Sequence, residues 1–111
     1  TQQMYLNQID TCTEWHIHIL KLFNDPQKFI NETGRTPPNW SMGGPSSVLE
    51  FALPDLNGRR SFYDLIWKDL YSSGLVSSDS LHVTMSGPGM IAKRTTEFGD
   101  GFVNFISEPA L

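Results

Sequence analysis

A cysteine and a histidine four positions apart, Cys12 and His16, have the spacing of residues that can act together. On a helix this spacing places both side chains on one face, where they could share a metal ion or pair a thiol with a base. No second pair of ligands follows at zinc spacing. We therefore expect Cys12 to pack in the core with His16 at its edge, and we expect neither a metal nor a cofactor.

The remaining candidates for chemistry are isolated in the sequence. His16 and His18 lie two positions apart on different faces of a helix and cannot chelate an ion together. We expect His82 to be an exposed strand residue rather than a base. The glycine-rich run 86–89 lacks the Gly-Lys-Ser/Thr ending of a phosphate loop and predicts a plain turn. Because no pair of carboxylates and no serine–histidine–acid arrangement can be discerned, we predict that the protein is not an enzyme.

Large aromatic side chains are the second conspicuous group. Tyr63, Trp67 and Tyr71 belong to one predicted helix and are expected to face outward. They form either a core on a second helix face or the centre of an interface, where aromatic residues are enriched. Trp40 and Met42 form either an exposed apolar lip for a partner or a cover that holds a long loop on the core. These five residues are the candidate contacts for a protein partner or for self-association.

Length and composition limit the class of protein. The chain has 111 residues, which fits one domain that buries roughly 60–70% of its unfolded surface. No run approaches the ~18 apolar residues of a membrane span, so no membrane association is expected. Cys12 is the single cysteine, which rules out an internal disulfide and favours a reducing, cytoplasmic compartment.

The charge is unfavourable for a dedicated nucleic-acid binder. The net charge is −4, whereas such proteins usually carry a positive surplus. Residues 59–94 nevertheless carry a small basic surplus between two acidic flanks. The cations that could contact a nucleic acid are Arg59, Arg60, Lys68, Lys93 and Arg94.

Local signals predict helices in the first part of the chain. Thr11 and Glu14 have the spacing of a capping box, and a buried stripe follows them at helical spacing. Asp25-Pro26 predicts the start of a further helix, with Asp as the N-cap and Pro in the first turn, and Gly34 ends it. The proline- and glycine-rich stretch 35–45 predicts a loop.

The next helices are bounded by similar signals. Ser47 has a capping-box partner three residues later and begins a short helix that ends before Pro54. Ser61 is expected to cap a helix that runs to about Ser73 and stops at Gly74. The buried face predicted for that helix consists of Phe62, Leu65, Ile66 and Leu70.

The remaining pattern predicts a hairpin and a final helix. Residues 81–85 alternate as a strand, residues 86–89 turn, and residues 90–93 return. Thr95 or Thr96 caps the last helix, whose amphipathic stripe consists of Phe98, Phe102, Phe105 and Ile106.

Residues 61–106 resemble the core of winged helix-turn-helix proteins, especially bacterial repressors of the antibiotic-resistance type and uncharacterised bacterial proteins with this layout. In those repressors a helix ends in Gly-Leu-(Ile/Val), a β-wing follows, and Thr-x-x-Gly starts the next helix. The matching residues here are 74–76 and 96–99. The resemblance implies an α+β, mostly α, winged-helix-like fold with a two-stranded hairpin wing. The helix 48–53 and the turn at Asn57-Gly58 would be the other parts of the helix-turn-helix.

The sequence departs from the DNA-reading pattern where bases would be read. The helix 61–73 would enter the major groove, yet it carries Asp64 and Asp69, and the wing tip 86–89 carries no cation. The basic residues could contact a phosphate backbone but could hardly read a sequence.

These observations predict one domain, 1–111, with N-terminal helices over 1–34, a loop over 35–45 and a winged-helix-like part over 46–111. We interpret it as a non-catalytic protein-interaction or regulatory module of a larger intracellular bacterial protein. The alternative is a winged-helix DNA-binding transcriptional regulator. Whether the five candidate cations project to one side of the wing distinguishes the two classes.

Overall fold

The structure, a computed structural model, describes residues 2–107 as a mostly helical fold with one short antiparallel sheet of two strands. This confirms the predicted α+β, mostly α, class. In chain order the elements are α1 (Gln2–Thr11), α2 (Glu14–Asn24), α3 (Pro26–Glu32), β1 (Met42–Gly43), α4 (Pro45–Ala52), a 3-10 turn (Pro54–Leu56), α5 (Arg60–Ser72), β2 (Met85–Ser86), α6 (Gly87–Met90) and α7 (Glu97–Ser107).

The capping box before α2 is formed by Thr13 and His16, so the prediction of Thr11 and Glu14 was wrong. Thr13 has the extended conformation that an N-cap requires, and its hydroxyl accepts the backbone N–H of His16 at 3.4 Å. The His16 ring takes the place of the usual Glu side chain, because its Nδ1 accepts the backbone N–H of Thr13 at 3.1 Å.

Two further helix starts differ from the prediction. α4 begins at Pro45, two residues before Ser47, and α5 begins at Arg60 rather than after Ser61. Neither start has a side-chain cap, and the fixed φ of Pro45 itself favours the first turn of α4. The predicted Asp25 cap of α3 is confirmed, since its carboxylate accepts the N–H of Lys28 at 3.2 Å.

The end of α5 and the start of α7 are fastened together. Gly74 has φ 76°, and the N–H of Leu75 bonds to the carbonyl of Leu70 at 2.9 Å, which confirms the predicted left-handed stop. The Thr96 hydroxyl accepts the N–H of Gly99 at 3.0 Å and donates to the Gly74 carbonyl at 2.6 Å. Thr96 is therefore the cap of α7, and it ties that helix to the stop of α5.

The predicted hairpin wing was wrong, although a two-stranded sheet is present. β2 pairs with β1, with Met42 opposite Ser86 and Gly43 opposite Met85. The run predicted to turn is helical instead, because the Ser86 hydroxyl caps α6 and Pro88 suits a first helical turn. A bridge between Val76 and Thr95 closes the long loop that contains β2 and α6.

The core forms where α2 packs against α5 and α7. Tyr63 and Trp67 are each 1% exposed, so the prediction that they face outward was wrong. Trp67 packs edge-on against Phe23, with ring centroids 5.0 Å apart. The predicted apolar stripe, which includes Leu65, overlaps on α5 with a stripe that carries Tyr63 and Trp67. The stripe with the larger aromatic rings faces the core, and Leu65 is therefore 64% exposed.

Across residues 2–107, no helix has the length and apolar character needed to cross a membrane.

Candidate functional site

The strongest candidate site is a groove between α5 and the segment 79–82, which we call the α5 groove. It has a volume of about 500 Å³ and is lined on one side by Asp64, Trp67, Lys68 and Tyr71 and on the other by residues 79–82. Tyr71 is 45% exposed at its edge. Leu65, three residues before Lys68, is also exposed but does not line the groove. Of the three predicted aromatic contacts, Tyr71 alone offers a large exposed surface.

The floor of the α5 groove is rigid. Trp67 is buried, and its indole N–H donates to the carbonyl of Ser78 at 2.9 Å. This bond satisfies a polar group that burial would otherwise penalise. The groove therefore has a fixed apolar base beneath a partly exposed aromatic edge.

The two walls of the α5 groove are joined by a carboxylate–imidazole pair. His82 Nε2 lies 2.8 Å and 3.0 Å from the two carboxylate oxygens of Asp64, and Arg60 Nε lies 3.7 Å from the same carboxylate. The His82 side chain is 23% exposed and lies outside the strands, so the prediction of an exposed strand residue was wrong. The pair joins residues 18 positions apart and has no local signal in the sequence.

This pair has the groups of a general base but lacks a matched nucleophile in the described part of the chain. The nearby Ser80 hydroxyl accepts the backbone N–H of His82 at 3.1 Å. A triad instead requires the hydroxyl to be bonded to the free ring nitrogen. The contact supports a structural role, in which Asp64 and His82 hold the segment 79–82 against α5.

A second pair fixes the same, N-terminal part of α5 on another side. The Tyr63 hydroxyl donates to Glu50 at 2.7 Å, and Glu50 also accepts the N–H of Gly58 at 3.1 Å. Burial raises the pKa of Tyr63, and the Glu50 carboxylate raises it further, so the phenol remains a donor. Sequence reasoning missed this contact because it paired Glu50 with Ser47.

Cys12 and His16 do not form a reactive pair. His16 is buried, its Nε2 lies 3.1 Å from Asp69, and its Nδ1 is taken by Thr13. Cys12 is only half-buried, so the expected order of burial is reversed. Burial raises the pKa of the Cys12 thiol, which reduces the thiolate needed for nucleophilic attack. Among the side chains that the structure describes, no group of three or more His, Cys, Asp or Glu could hold a metal ion.

Two of the five candidate cations, Lys93 and Arg94, have partners around α6 and the start of α7. Lys93 Nζ lies 2.8 Å from the carboxylate of Asp100 at the start of α7. The Arg94 guanidinium donates to the carbonyl of Gly89 at 2.6 Å, and burial lowers its pKa. Both side chains stabilise the segment around α6 rather than presenting charge for a phosphate.

The other three candidate cations lie along α5. The Arg59 guanidinium stacks over the Phe62 ring at 4.7 Å, and Arg60 pairs with Asp64. Lys68 is exposed at the α5 groove. The predicted basic set therefore belongs to two parts of the chain, residues 59–68 at α5 and residues 93–94 after α6.

Trp40 and Met42 were predicted to form either an exposed lip for a partner or a cover on the core, and each takes one of these positions. Trp40 is half-buried and packs edge-on against Phe51, with ring centroids 5.7 Å apart, so it holds the loop on α4. Met42 is 73% exposed in β1 and remains a candidate contact.

Comparison of the chain with models of known families, with curated proteins and with solved structures found no match. The winged-helix resemblance of residues 61–106 therefore stays a prediction from the sequence.

Proposed function

We propose that this chain is a non-catalytic protein-interaction module, and that the α5 groove and its exposed edge are the docking surface. The observation that carries the proposal is the exposure of Tyr71 at the edge of a groove with a rigid apolar floor. Interface centres combine such an aromatic anchor with a pocket that excludes water. In a larger intracellular bacterial protein, such a module would serve an interaction or regulatory role.

The groove favours a partner segment with an apolar side chain and nearby hydrogen-bond donors. Asp64 and Asp79 line the groove together with one ammonium group, that of Lys68. The whole chain has a net charge of −4, which favours encounter with a basic partner. An apolar side chain would pack on the floor at Trp67, and a basic group would approach the carboxylate of Asp79.

The DNA-binding alternative is less well supported. α5 would be the base-reading helix, yet Asp64 and Asp69 lie on its accessible part and would approach phosphates. Freeing Arg94 for DNA would break its hydrogen bond to Gly89. We expect a titration with pooled random duplexes at physiological salt to show at most non-specific affinity, with a Kd of about 10⁻⁴ M or weaker. Nanomolar selection of one sequence, abolished by Arg94→Ala, would favour the repressor function instead.

The docking proposal can be tested with a photo-reactive amino acid in place of Lys68, which lines the groove and is exposed. Irradiation of the full-length protein in its own cells should give a defined protein adduct. Tyr71→Ala should reduce the yield at least about tenfold, because the truncation of an interface anchor usually costs more than ~1.4 kcal/mol.

Leu6→Ala is the matched control for that experiment. Leu6 is 47% exposed, close to the 45% of Tyr71, but it belongs to α1 rather than to the groove. The control should leave the adduct unchanged. An adduct that survives Tyr71→Ala, or that is lost equally in both variants, would contradict docking at this surface.

A further inference from the structure

α1 packs on the rest of the fold through Tyr5 and Ile9, and Tyr5 occupies a shaped socket. Tyr5 packs against the rings of Phe98, Phe102 and Phe105, with centroid separations of 5.5, 6.1 and 5.3 Å. Its hydroxyl lies over Gly101, where a Cβ atom would be 2.1 Å from the phenol oxygen. These four residues of α7, which we call the tyrosine socket, fit a tyrosine because Gly101 leaves room for its hydroxyl.

The junction between α1 and α2 is a break that the sequence does not require. Residues 2–24 contain neither glycine nor proline. The break is held by the capping box, in which Thr13 and His16 exchange two hydrogen bonds. If Cys12 and Thr13 adopted helical conformations, α1 and α2 would form one continuous helix. Tyr5 would then lie about 12 Å beyond Thr13 along the helix axis, at ~1.5 Å per residue.

We propose that α1 exchanges between two copies of this chain, so that Tyr5 of each copy fills the tyrosine socket of the other. Most of the stability of a helix in a protein comes from packing of its apolar side, so α1 depends on the contacts of Tyr5 with the socket. The α1 of a second copy reproduces every socket contact that the closed chain makes, which is the basis of domain swapping.

The closed form leaves other apolar side chains of α1 uncovered. Met4 is 54% exposed and Leu6 is 47% exposed. Closure therefore buries little of this helix besides its tyrosine side, and the opening of the junction exposes little more. The exchange is independent of the docking role proposed for the α5 groove, because it uses α1 and α7.

Glu14→Pro separates the closed chain from the exchanged dimer. Glu14 is the first residue of α2, where proline is favoured, and the preceding Thr13 has ψ 172°, as a residue before proline requires. In a continuous helix the same proline would lose a hydrogen bond and clash with the preceding turn. Thr13→Ala has the opposite effect, because it removes the hydroxyl that caps α2.

Analytical ultracentrifugation of the full chain, up to ~1 mM, tests the proposal with these variants and Glu14→Gln as the matched control. We expect a concentration-dependent dimer in the wild type and in Glu14→Gln, a larger dimer fraction in Thr13→Ala, and a folded monomer in Glu14→Pro. Monomers throughout, or a dimer that persists in Glu14→Pro, would overturn the exchange.

A mixing experiment distinguishes exchange from any other dimer contact. Tyr5→Ala retains a socket but lacks the tyrosine, whereas Gly101→Leu retains the tyrosine but fills the socket. Each variant alone should be monomeric, and an equimolar mixture should form a heterodimer with one filled socket. A mixture that behaves as the sum of its two components would overturn the proposal. Dimers of either variant alone would also overturn it. Stable binding of a foreign helix to a wild type that remains monomeric would do the same.

Discussion

Gly99 should tolerate no side chain, even though it lies inside a helix. Replacing glycine by alanine within a helix normally gains about 1 kcal/mol. At this position the new Cβ would lie 2.2 Å from the carbonyl oxygen of Leu75, far inside the ~3.3 Å of a close carbon–oxygen contact. That oxygen also accepts the N–H of Thr96 at 3.1 Å, so it cannot move without weakening a hydrogen bond.

The expected magnitude for Gly99→Ala follows from these opposing effects. Overpacking typically costs 1–3 kcal/mol, and a weakened hydrogen bond costs about 1 kcal/mol more. After subtraction of the helix-propensity gain, we expect a loss of about 1–3 kcal/mol. Urea unfolding should show this loss as a lower midpoint at an unchanged slope.

Gly101→Ala is the matched control on the same helix. Its Cβ would meet the hydroxyl of Tyr5, so the displacement falls on a side chain of α1 and not on the backbone of the core. The helix-propensity gain offsets the displacement of Tyr5, so we expect stability within about 1 kcal/mol of the wild type. If Gly99→Ala is as stable as Gly101→Ala, the close approach of α7 to Leu75 is refuted.

Four further outcomes are expected. Phe102→Ala should cost about 3–5 kcal/mol, measured by chemical unfolding, because Phe102 is fully buried. Thr96→Ala should cost about 1 kcal/mol through the loss of its cap, and an unchanged melting temperature would contradict this. Burial raises the pKa of Asp100, but hydrogen bonds from Lys93 and Thr95 outweigh it and hold the pKa below the ordinary 3.8. Stability from this network is present above the unfolded pKa and is lost as pH falls through the lower folded pKa, so Asp100→Asn should show a smaller loss of stability in acid unfolding. Elemental analysis of the purified protein should find no stoichiometric zinc or iron, and about one metal per chain, lost on Cys12→Ala, would contradict this.

Features that depend on neighbouring residues could be predicted from the sequence. The Asp25 cap, the left-handed Gly74 and the Thr96 cap are each specified by short-range hydrogen bonds or backbone sterics. The facing of α5 was ambiguous because Leu65 and Trp67 belong to overlapping stripes. Which of the two stripes is buried depends on which side chains fit beside α2.

Long-range contacts were beyond what the sequence pattern could show. β1 and β2 are separated by about forty residues, and nothing local in either specifies the other as its partner. The pair of Asp64 and His82 likewise became visible only in the fold. The same limit applies to Arg94, whose type favours phosphate binding but whose charge is used on the carbonyl of Gly89.

We propose that the exposed face of α5 meets a protein rather than a nucleic acid. The chemical nature of the adduct formed from a photo-reactive amino acid in place of Lys68 tests this most directly, because that position is exposed at the α5 groove. The component bound to this chain should be degraded by protease. It should be unaffected by nuclease. An adduct that is removed by nuclease and persists in Tyr71→Ala would contradict the account and support nucleic-acid binding by α5.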